Sequence, residues 1–470
     1  MAEPDHRTVA PEPYYTASVI NRPASISRSP EEVRRRRVLV LAVAVVVLAL
    51  KLWVAANTFG TNDVGYWQSF AAGVRKVGPI NIYALHNLAA PYNHPPLIGW
   101  MLVAINYLDS HGFTLPFLIR VPASVADVGT TLLIFELIRV RRSLREATAA
   151  ALLVACSPVL FIISGFHGNT DPVFVMFTLL SAYLLINCPW PARLWLAPGL
   201  AGIAFAVAVS VKIVPFVVLP TLLLIAARLG RRQLASFVVG CGAVMLPLWG
   251  PVVLRQWQPF RTDVLGYAGI WLRQWGPVEF ATAMRFPASV ISLIVGPGRF
   301  VAVLLCAFLP ALLLYWRRDA ALPAIGLSLA LFLLLSPAFG TQYLAWPLAA
   351  AYLIDFRAAT AYNLAAGGLL AEVYSRWNSG LRWYRAFATP LRPPEVAALG
   401  VVWVLLLFVV LASLYHIAKS PKAGRPALAG QPAEAGPAGS QVSAAQTRPS
   451  SFTRLVRQRA LPQAARSTGP

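Results

Sequence analysis

The sequence predicts an all-α polytopic integral membrane protein, and three observations carry that prediction. Of 470 residues, 57% are hydrophobic and only 12% are charged, whereas about a quarter of a soluble domain is charged. Apolar runs recur from Val38 to His416, and about 20 such residues suffice to cross a bilayer. Lys and Arg cluster between alternate runs and in the tails, the pattern that orients membrane helices and meets anionic lipid. The net charge of +22, from 40 Lys+Arg against 18 Asp+Glu, is therefore read as membrane charge. No nucleic-acid motif accompanies it. Cys156, Cys188, Cys241 and Cys306 are far apart with no CxxC spacing, so they read as packing residues, neither metal ligands nor a disulfide set.

Taken in order, residues 1–33 are polar and Pro-rich and read as a disordered tail. Four arginines, Arg34 to Arg37, precede the run Val38 to Ala56. This run is too long and too far from the start for a cleavable signal, and the arginines place the N-terminus in the cytoplasm. A long external stretch follows, Asn57 to about Leu115, with a short helix over Gly65 to Val77. The apolar part of Pro91 to Leu108 is too short to span, so Pro96 to Leu108 reads as a re-entrant or interfacial helix. That reading also leaves the arginines after the next run, Pro116 to Ile138, in the cytoplasm. The remaining runs alternate: Ala147 to Ser164, Pro172 to Ile186, Leu196 to Val211, Ile213 to Ala227, Leu234 to Leu254, Val301 to Tyr315, Ala321 to Leu335, Tyr343 to Ile354, Ala358 to Tyr374 and Val401 to His416. The sum is about twelve spans, several short enough to be tilted or broken beside a cavity. Residues 34–418 form this membrane domain. Residues 419–470 are rich in Ala, Gly, Pro and Gln and read as a second disordered cytoplasmic tail.

This orientation collects five polar clusters on the outer face: TNDVGY (Thr61 to Tyr66), YNHPP (Tyr92 to Pro96), FHGNTDP (Phe166 to Pro172), SVKIVP (Ser210 to Pro215) and SPAFGTQY (Ser336 to Tyr343). Ionisable groups at membrane depth are expensive and mark sites. Each cluster also has a plainer reading. Asp63 serves either as a general base at the bilayer surface or as the cap of a helix beginning near Val64. Asp171 can cap the helix at Pro172. Lys212 can snorkel to the interface, although an external Lys runs against the positive-inside trend and favours an anion role. Gln342 and Tyr343 can satisfy backbone groups at a helix start. Asp127, inside a span, is expected to pair with Arg120 seven residues earlier on a similar face. External arginines (Arg255, Arg261, Arg273, Arg285, Arg376, Arg382, Arg385, Arg392) accompany Trp and Tyr, which suits a substrate phosphate or an interfacial belt.

The clusters, in order, resemble the GT-C superfamily of polytopic glycosyltransferases. The likeness is greatest to the catalytic subunit of the GPI-anchor mannosyltransferase that adds the first mannose, and to bacterial polyprenyl-phosphate-mannose-dependent mannosyltransferases. Asp63 and Tyr66 look like the first Asp and the Tyr of a DxDY-type motif, with Gly65 in place of the second carboxylate. YNHPPLIGWML, GNTD, KIVP and QYLAW resemble that family's later motifs, although Phe166 and His167 precede the turn where the eukaryotic family has Arg. The resemblance implies a GT-C-like bundle of about twelve helices, with an external loop 1 carrying juxtamembrane helices, in the plasma (inner) membrane with both termini cytoplasmic and the site facing outside.

It also implies an inverting transfer of a sugar, with mannose the family-weighted expectation. The donor would be a polyprenyl-phosphate-sugar and the acceptor a glycolipid or glycan. Asp63 would be the general base; Tyr66, His94, His167, Asn169, Asp171, Lys212, Gln342 and Tyr343 would line the donor and acceptor sites. Neither a cofactor nor a divalent metal is expected, and the partners are these substrates and membrane lipids, with no nucleic acid. His94 can alternatively cap the re-entrant helix. A transporter or flippase is the alternative function, and it would depend on deep residues such as Asp127.

Overall fold

A computed structural model describes residues 29–420, apart from 188–194, 268–274, 338–339, 379 and 381. The described residues form helices α1 (Pro30–Asn57), α2 (Asn62–Asn81), α3 (Pro96–Asp109), α4 (Leu115–Leu118), α5 (Val121–Arg139), α6 (Leu144–Ala155), α7 (Pro158–Ile162), α8 (Asp171–Ile186), α9 (Leu196–Val211), α10 (Leu219–Leu229), α11 (Arg231–Pro259), α12 (Pro277–Ala283), α13 (Ala288–Leu293), α14 (Arg299–Trp316), α15 (Ala321–Leu335), α16 (Ala345–Ile354), α17 (Phe356–Trp377) and α18 (Pro393–Lys419). Most of the tails expected at residues 1–33 and 419–470 lies outside the described residues, but α1 begins inside the first, at Pro30.

The chemistry of α1 explains its early start. Ser29 accepts from the backbone N–H of Glu32, Pro30 opens the helix, and Glu31 and Glu32 occupy its first turn, a favourable combination at a helix N-terminus. At 28 residues the helix is about 42 Å long, beyond the roughly 30 Å of a hydrocarbon core, so its arginine-rich first turns project past the apolar layer.

This is a multi-pass membrane protein. Among the described residues, six segments are long and apolar enough to cross a bilayer: Pro30–Asn57, Leu115–Arg139, Leu144–His167, Arg231–Leu265, Ala288–Trp316 and Pro393–Lys419. Five shorter apolar helices accompany them, so length and composition do not reach the expected dozen. The shortfall has a physical cause. Helices such as α8, α9 and α15 have most of their residues buried in protein, and a helix so covered need not match the lipid thickness. Pro96–Asp109 is one of the five.

Small residues set the closest packing. A Cβ on Gly202 of α9 would lie 2.0 Å from the Phe237 carbonyl of α11, and one on Gly240 would lie 2.1 Å from the Gly199 carbonyl. Backbones approach this closely in membranes where small residues line both faces.

Two internal cations hold the N-terminal half together. Lys51 of α1 donates to Asp127 Oδ2 of α5 at 2.5 Å, with side chains 1% and 6% exposed, and Ser164 donates to the same oxygen at 2.6 Å. The expected Asp127–Arg120 pair is therefore wrong. Arg120 sits at the N-cap of α5, where its guanidinium turns back over the end of α1 and away from Asp127. It donates to the carbonyls of Pro116 (2.6 Å), Ala55 (2.8 Å) and Thr58 (2.6 Å), to Thr58 Oγ1 (2.7 Å), and to the carbonyls of Gly165 and Phe166 (3.3 and 3.4 Å).

The bundle has two chemically different ends. At one, Arg37 of α1 meets Glu136 of α5, Arg142 caps the last carbonyls of α16, Arg228 caps α14, and Arg317 reaches the Ser420 carbonyl. At the other lie the end of α1, the starts of α2 and α8, and the ends of α9 and α17. A two-residue parallel pairing, β1 (Gly60–Thr61) with β2 (Arg385–Ala386), joins the first loop to the last.

Because α1 and α5 share a buried charge pair, Asp127→Leu strands the Lys51 ammonium. We expect the substitution to destabilise the protein by about 3–5 kcal/mol, and Lys51→Met in the same chain to restore most of that loss. Thermal unfolding of the detergent-solubilised protein checks both.

Candidate active site

The site is assembled on the short turn that ends α1 and begins α2. Thr61 caps α2, its hydroxyl accepting from the Asp63 backbone N–H at 3.3 Å. The cap is thus Thr61, and Asp63 stands in the first helical turn with its side chain free for other use. Two further bonds clamp this turn to the loop after α7. The Thr61 hydroxyl donates to the His167 carbonyl at 2.8 Å, and the Trp67 indole N–H donates to the Gly168 carbonyl at 2.7 Å.

The partner loop is built to present one imidazole. Ile163–His167 is a π-helical turn, and Gly168, at φ +88°, ends it in the left-handed region, where a side chain would be strained. A Cβ on Gly168 would also meet Val64 Cγ2 at 2.7 Å.

His167 then stands between two groups. Its Nε2 lies 2.8 Å from Asp63 Oδ2, and its Nδ1 is hydrogen-bonded to the Tyr374 hydroxyl. A neutral imidazole protonated on Nε2 satisfies both contacts, with Tyr374 donating to Nδ1 and His167 donating to Asp63. His167 is 5% exposed and Asp63 30%, so the chain of bonds runs from the protein interior to an open carboxylate. Burial acts to raise the Asp63 carboxyl, but the hydrogen bond from His167 and the nearby Lys212 ammonium act against it, and the group is held below its usual 3.8. His94 stacks on Trp67 with centroids 4.4 Å apart. Burial and the Lys212 charge push its imidazole down to about 3, so it is neutral at ordinary pH. It does not cap α3, whose N-cap is Pro95.

A second cluster adjoins the first. Asp171 is fully buried and accepts three side-chain donors: Lys212 Nζ at 2.6 Å, the Trp346 indole at 2.5 Å and Asn169 Nδ2 at 3.0 Å. Asn169 Oδ1 also accepts from the Asp171 backbone N–H at 3.1 Å, which closes the turn into α8. The Lys212 ammonium lies 4.9 Å from the ring centroids of both Tyr343 and Trp346, which stack on each other. Tyr267 lies near Tyr343 and Asn93.

All five polar clusters therefore meet at one end of the bundle. Asp63, His94, His167, Asn169, Asp171, Lys212 and Tyr343 form two linked groups. Gln342 is buried beside them, its amide close to Gly340. Tyr66 is exposed on α2. Among the arginines, Arg376 is committed to a bidentate pair with Glu395 and a bond to Thr389, and Arg385 stacks over Phe59 and Phe387. Arg273 and Trp271 lie outside the described residues. Sequence reading missed Trp67, Trp346, Tyr374 and Tyr267 as parts of the site. Apolar runs rich in aromatics give no sign of which ring turns inward.

A model of the family described as dolichyl-phosphate-mannose-protein mannosyltransferase matches residues 93–254. That range holds His94, His167, Asn169, Asp171 and Lys212, and leaves Asp63, Gln342 and Tyr343 outside. Together with the helical membrane fold, the match indicates a glycosyltransferase of the GT-C superfamily.

Among solved structures, ArnT from Cupriavidus metallidurans, bound to undecaprenyl phosphate, is 16% identical with a TM-score of 0.47, over 80% of this chain and 76% of that one. The apo oligosaccharyltransferase of Archaeoglobus fulgidus is 14% identical with a TM-score of 0.36, over 84% of this chain and 57% of that one. A search of curated proteins gave no match.

A carboxyl with a lowered pKa stays ionised to lower pH, and the stability it contributes is present above the unfolded value and lost as pH falls through the folded one. We therefore expect the stability difference between wild type and Asp63→Asn to stay flat from neutral pH down to about 5 and to change only as the pH approaches and passes below 3.8. Thermal melts of both proteins across that range provide the measurement.

Proposed function

We propose that this chain moves a sugar from a polyprenyl-phosphate-linked donor to a lipid-linked or glycan acceptor on the extracytoplasmic face, with inversion at the anomeric carbon. Mannose is the sugar we favour, because the matched family is described by a mannosyl donor. The observation that carries the reading is the pairing of an open, ionised carboxylate, Asp63, with a nearby ammonium, Lys212, at one end of a membrane bundle.

In this mechanism Asp63 accepts the proton of the acceptor hydroxyl as its oxygen attacks the anomeric carbon. The bond from that carbon to the phosphate oxygen breaks, and the polyprenyl phosphate leaves with the electron pair. A carboxylate with a lowered pKa is a weak base toward a resting alcohol. It takes the proton once the attacking oxygen has begun to bond to carbon and has become acidic.

His167 fixes the direction of Asp63 and shares its charge, and Tyr374 fixes the tautomer of His167. Lys212 meets the charge growing on the departing phosphate. Asp171, saturated by three donors, is no base in this scheme; it holds Lys212 and orients it. Tyr343 and Trp346 offer apolar faces toward a sugar ring. The arginines at the start of α1 and at the opposite end of the bundle support cytoplasmic termini and a site facing outward.

The test is transfer of label from radiolabelled polyprenyl-phosphate-mannose into membrane lipids by the purified protein. Asp63→Asn is expected to lower transfer by about 10²–10⁴-fold with unchanged folding, and Lys212→Ala to lower kcat by about 10²-fold and also the melting temperature, because it strands the buried Asp171 carboxylate. Equal transfer by wild type and Asp63→Asn would remove Asp63 as the base. Wild-type transfer from a donor carrying another sugar in place of mannose would correct the sugar while leaving the mechanism in place.

A further inference from the structure

At the end of the bundle opposite Asp63, a cleft of about 720 Å³ opens between the C-termini of α10 and α14. Its walls are Leu224 and Arg228 of α10, Tyr315 and Trp316 of α14, and Arg317 and Arg318 just beyond. The chain from Lys212 to Leu224 and Arg228 runs through helical segments, about 18 Å and 24 Å at helical rise. It is thus a different site from the one described above.

The electrostatics favour an anion. Asp319 is the acidic neighbour of Arg228, and it also faces Arg141. Two helix C-termini add roughly half a negative charge each. Three guanidiniums outweigh these, leaving a net charge of about +1. Arg228 is used in part to cap the Leu314 and Tyr315 carbonyls, and Arg317 to hold the Ser420 carbonyl. Those acceptors are neutral, so the guanidinium charge remains.

A second feature says which anion. Below the cleft, Val301, Leu304, Phe308, Leu312 and Tyr315 of α14 are exposed and recur every three or four residues, so they form one continuous apolar stripe along the helix. Tyr315 and Trp316 stand at its head, where aromatic residues mark a membrane interface. A free phosphate would use the arginines and leave the stripe idle. A phospholipid would use both.

We propose that this cleft is a binding site for an anionic phospholipid: its phosphate held by Arg228, Arg317 and Arg318, and its acyl chains laid along α14. The site retains phosphatidylglycerol in preference to phosphatidylcholine of the same chain composition. Basic pockets between membrane helices recognise anionic headgroups in this way.

The experiment uses the full chain in phosphatidylcholine nanodiscs, with retained lipid counted by native mass spectrometry and stability followed by thermal melts. Added phosphatidylglycerol is expected to be retained and to raise the melting temperature, and added phosphatidylcholine is not. The double variant Arg317→Gln, Arg318→Gln should lose about 30-fold of that preference, and Arg318→Gln alone about 5-fold, at about 1 kcal/mol per interfacial charge. The single variant keeps the Arg317 bond to Ser420, so it serves if the double variant does not fold. Equal retention of the two lipids by wild type would overturn the proposal. So would an unchanged preference in a folded variant, or stabilisation by millimolar inorganic phosphate as large as that by the lipid.

Discussion

The site rests on a buried cation that has no anionic partner among the described residues. Arg120 is fully buried, and its guanidinium is satisfied by the carbonyls and hydroxyl of three separate segments: the end of α1, the Pro116 turn, and the π-helical loop at Gly165 and Phe166. Neutral acceptors are a costly solution for a charge in a membrane protein. They have one advantage: the fork geometry of the guanidinium fixes the relative positions of all three backbones. The loop that carries His167 and the turn that leads to Asp63 are held by the same side chain. Arg120 thus helps to set the 2.8 Å contact between Asp63 and His167, together with the Thr61 and Trp67 bonds to the same loop. Asp63 contributes little to its own placement, which leaves its outer face available.

The two clusters divide their labour by degree of saturation. Asp171 and Asp63 are both carboxylates near Lys212, and a sequence gives no reason to rank them. The structure does so through their donors. Asp171 accepts three side-chain donors and has no exposed surface, so no substrate hydroxyl reaches it from solvent. Asp63 meets His167 through a single oxygen and retains access to solvent. Two neighbouring carboxylates thus acquire different surroundings, one paired and covered, the other open to solvent.

Much of the fold was legible because apolar length and basic punctuation are strong signals. The runs Leu196 to Val211 and Ala321 to Leu335 coincide with α9 and α15, and Pro172 to Ile186 misses α8 by one residue. Breaks inside runs were not legible. The run Ala147 to Ser164 contains most of α6, all of α7 and the start of the π-helical turn. No residue-type pattern distinguishes a π-turn from one more helical turn. The site was legible as five polar clusters but not as a wiring diagram. Asp127 was assigned to Arg120 by spacing along one helix, whereas its partner Lys51 comes from another helix. Pairings between helices depend on how faces meet, and periodicity within one segment is silent about that. Tyr374 closes the hydrogen-bond chain from 207 residues beyond His167, and it looked like one more aromatic at a membrane interface.

The short β1–β2 pairing has a consequence for biosynthesis. Gly60 and Arg385 pair across most of the chain, and Phe59 donates to the Tyr384 carbonyl at 2.8 Å. The turn that leads to Asp63 leaves the ribosome early, but the strand that braces it and the tyrosine that orients His167 are among the last parts of the membrane body to emerge. Through most of translation the first loop therefore stands without its brace, and the hydrogen-bond chain to Asp63 cannot close. The arrangement around Asp63 is therefore completed only when the last helices of the chain have been made.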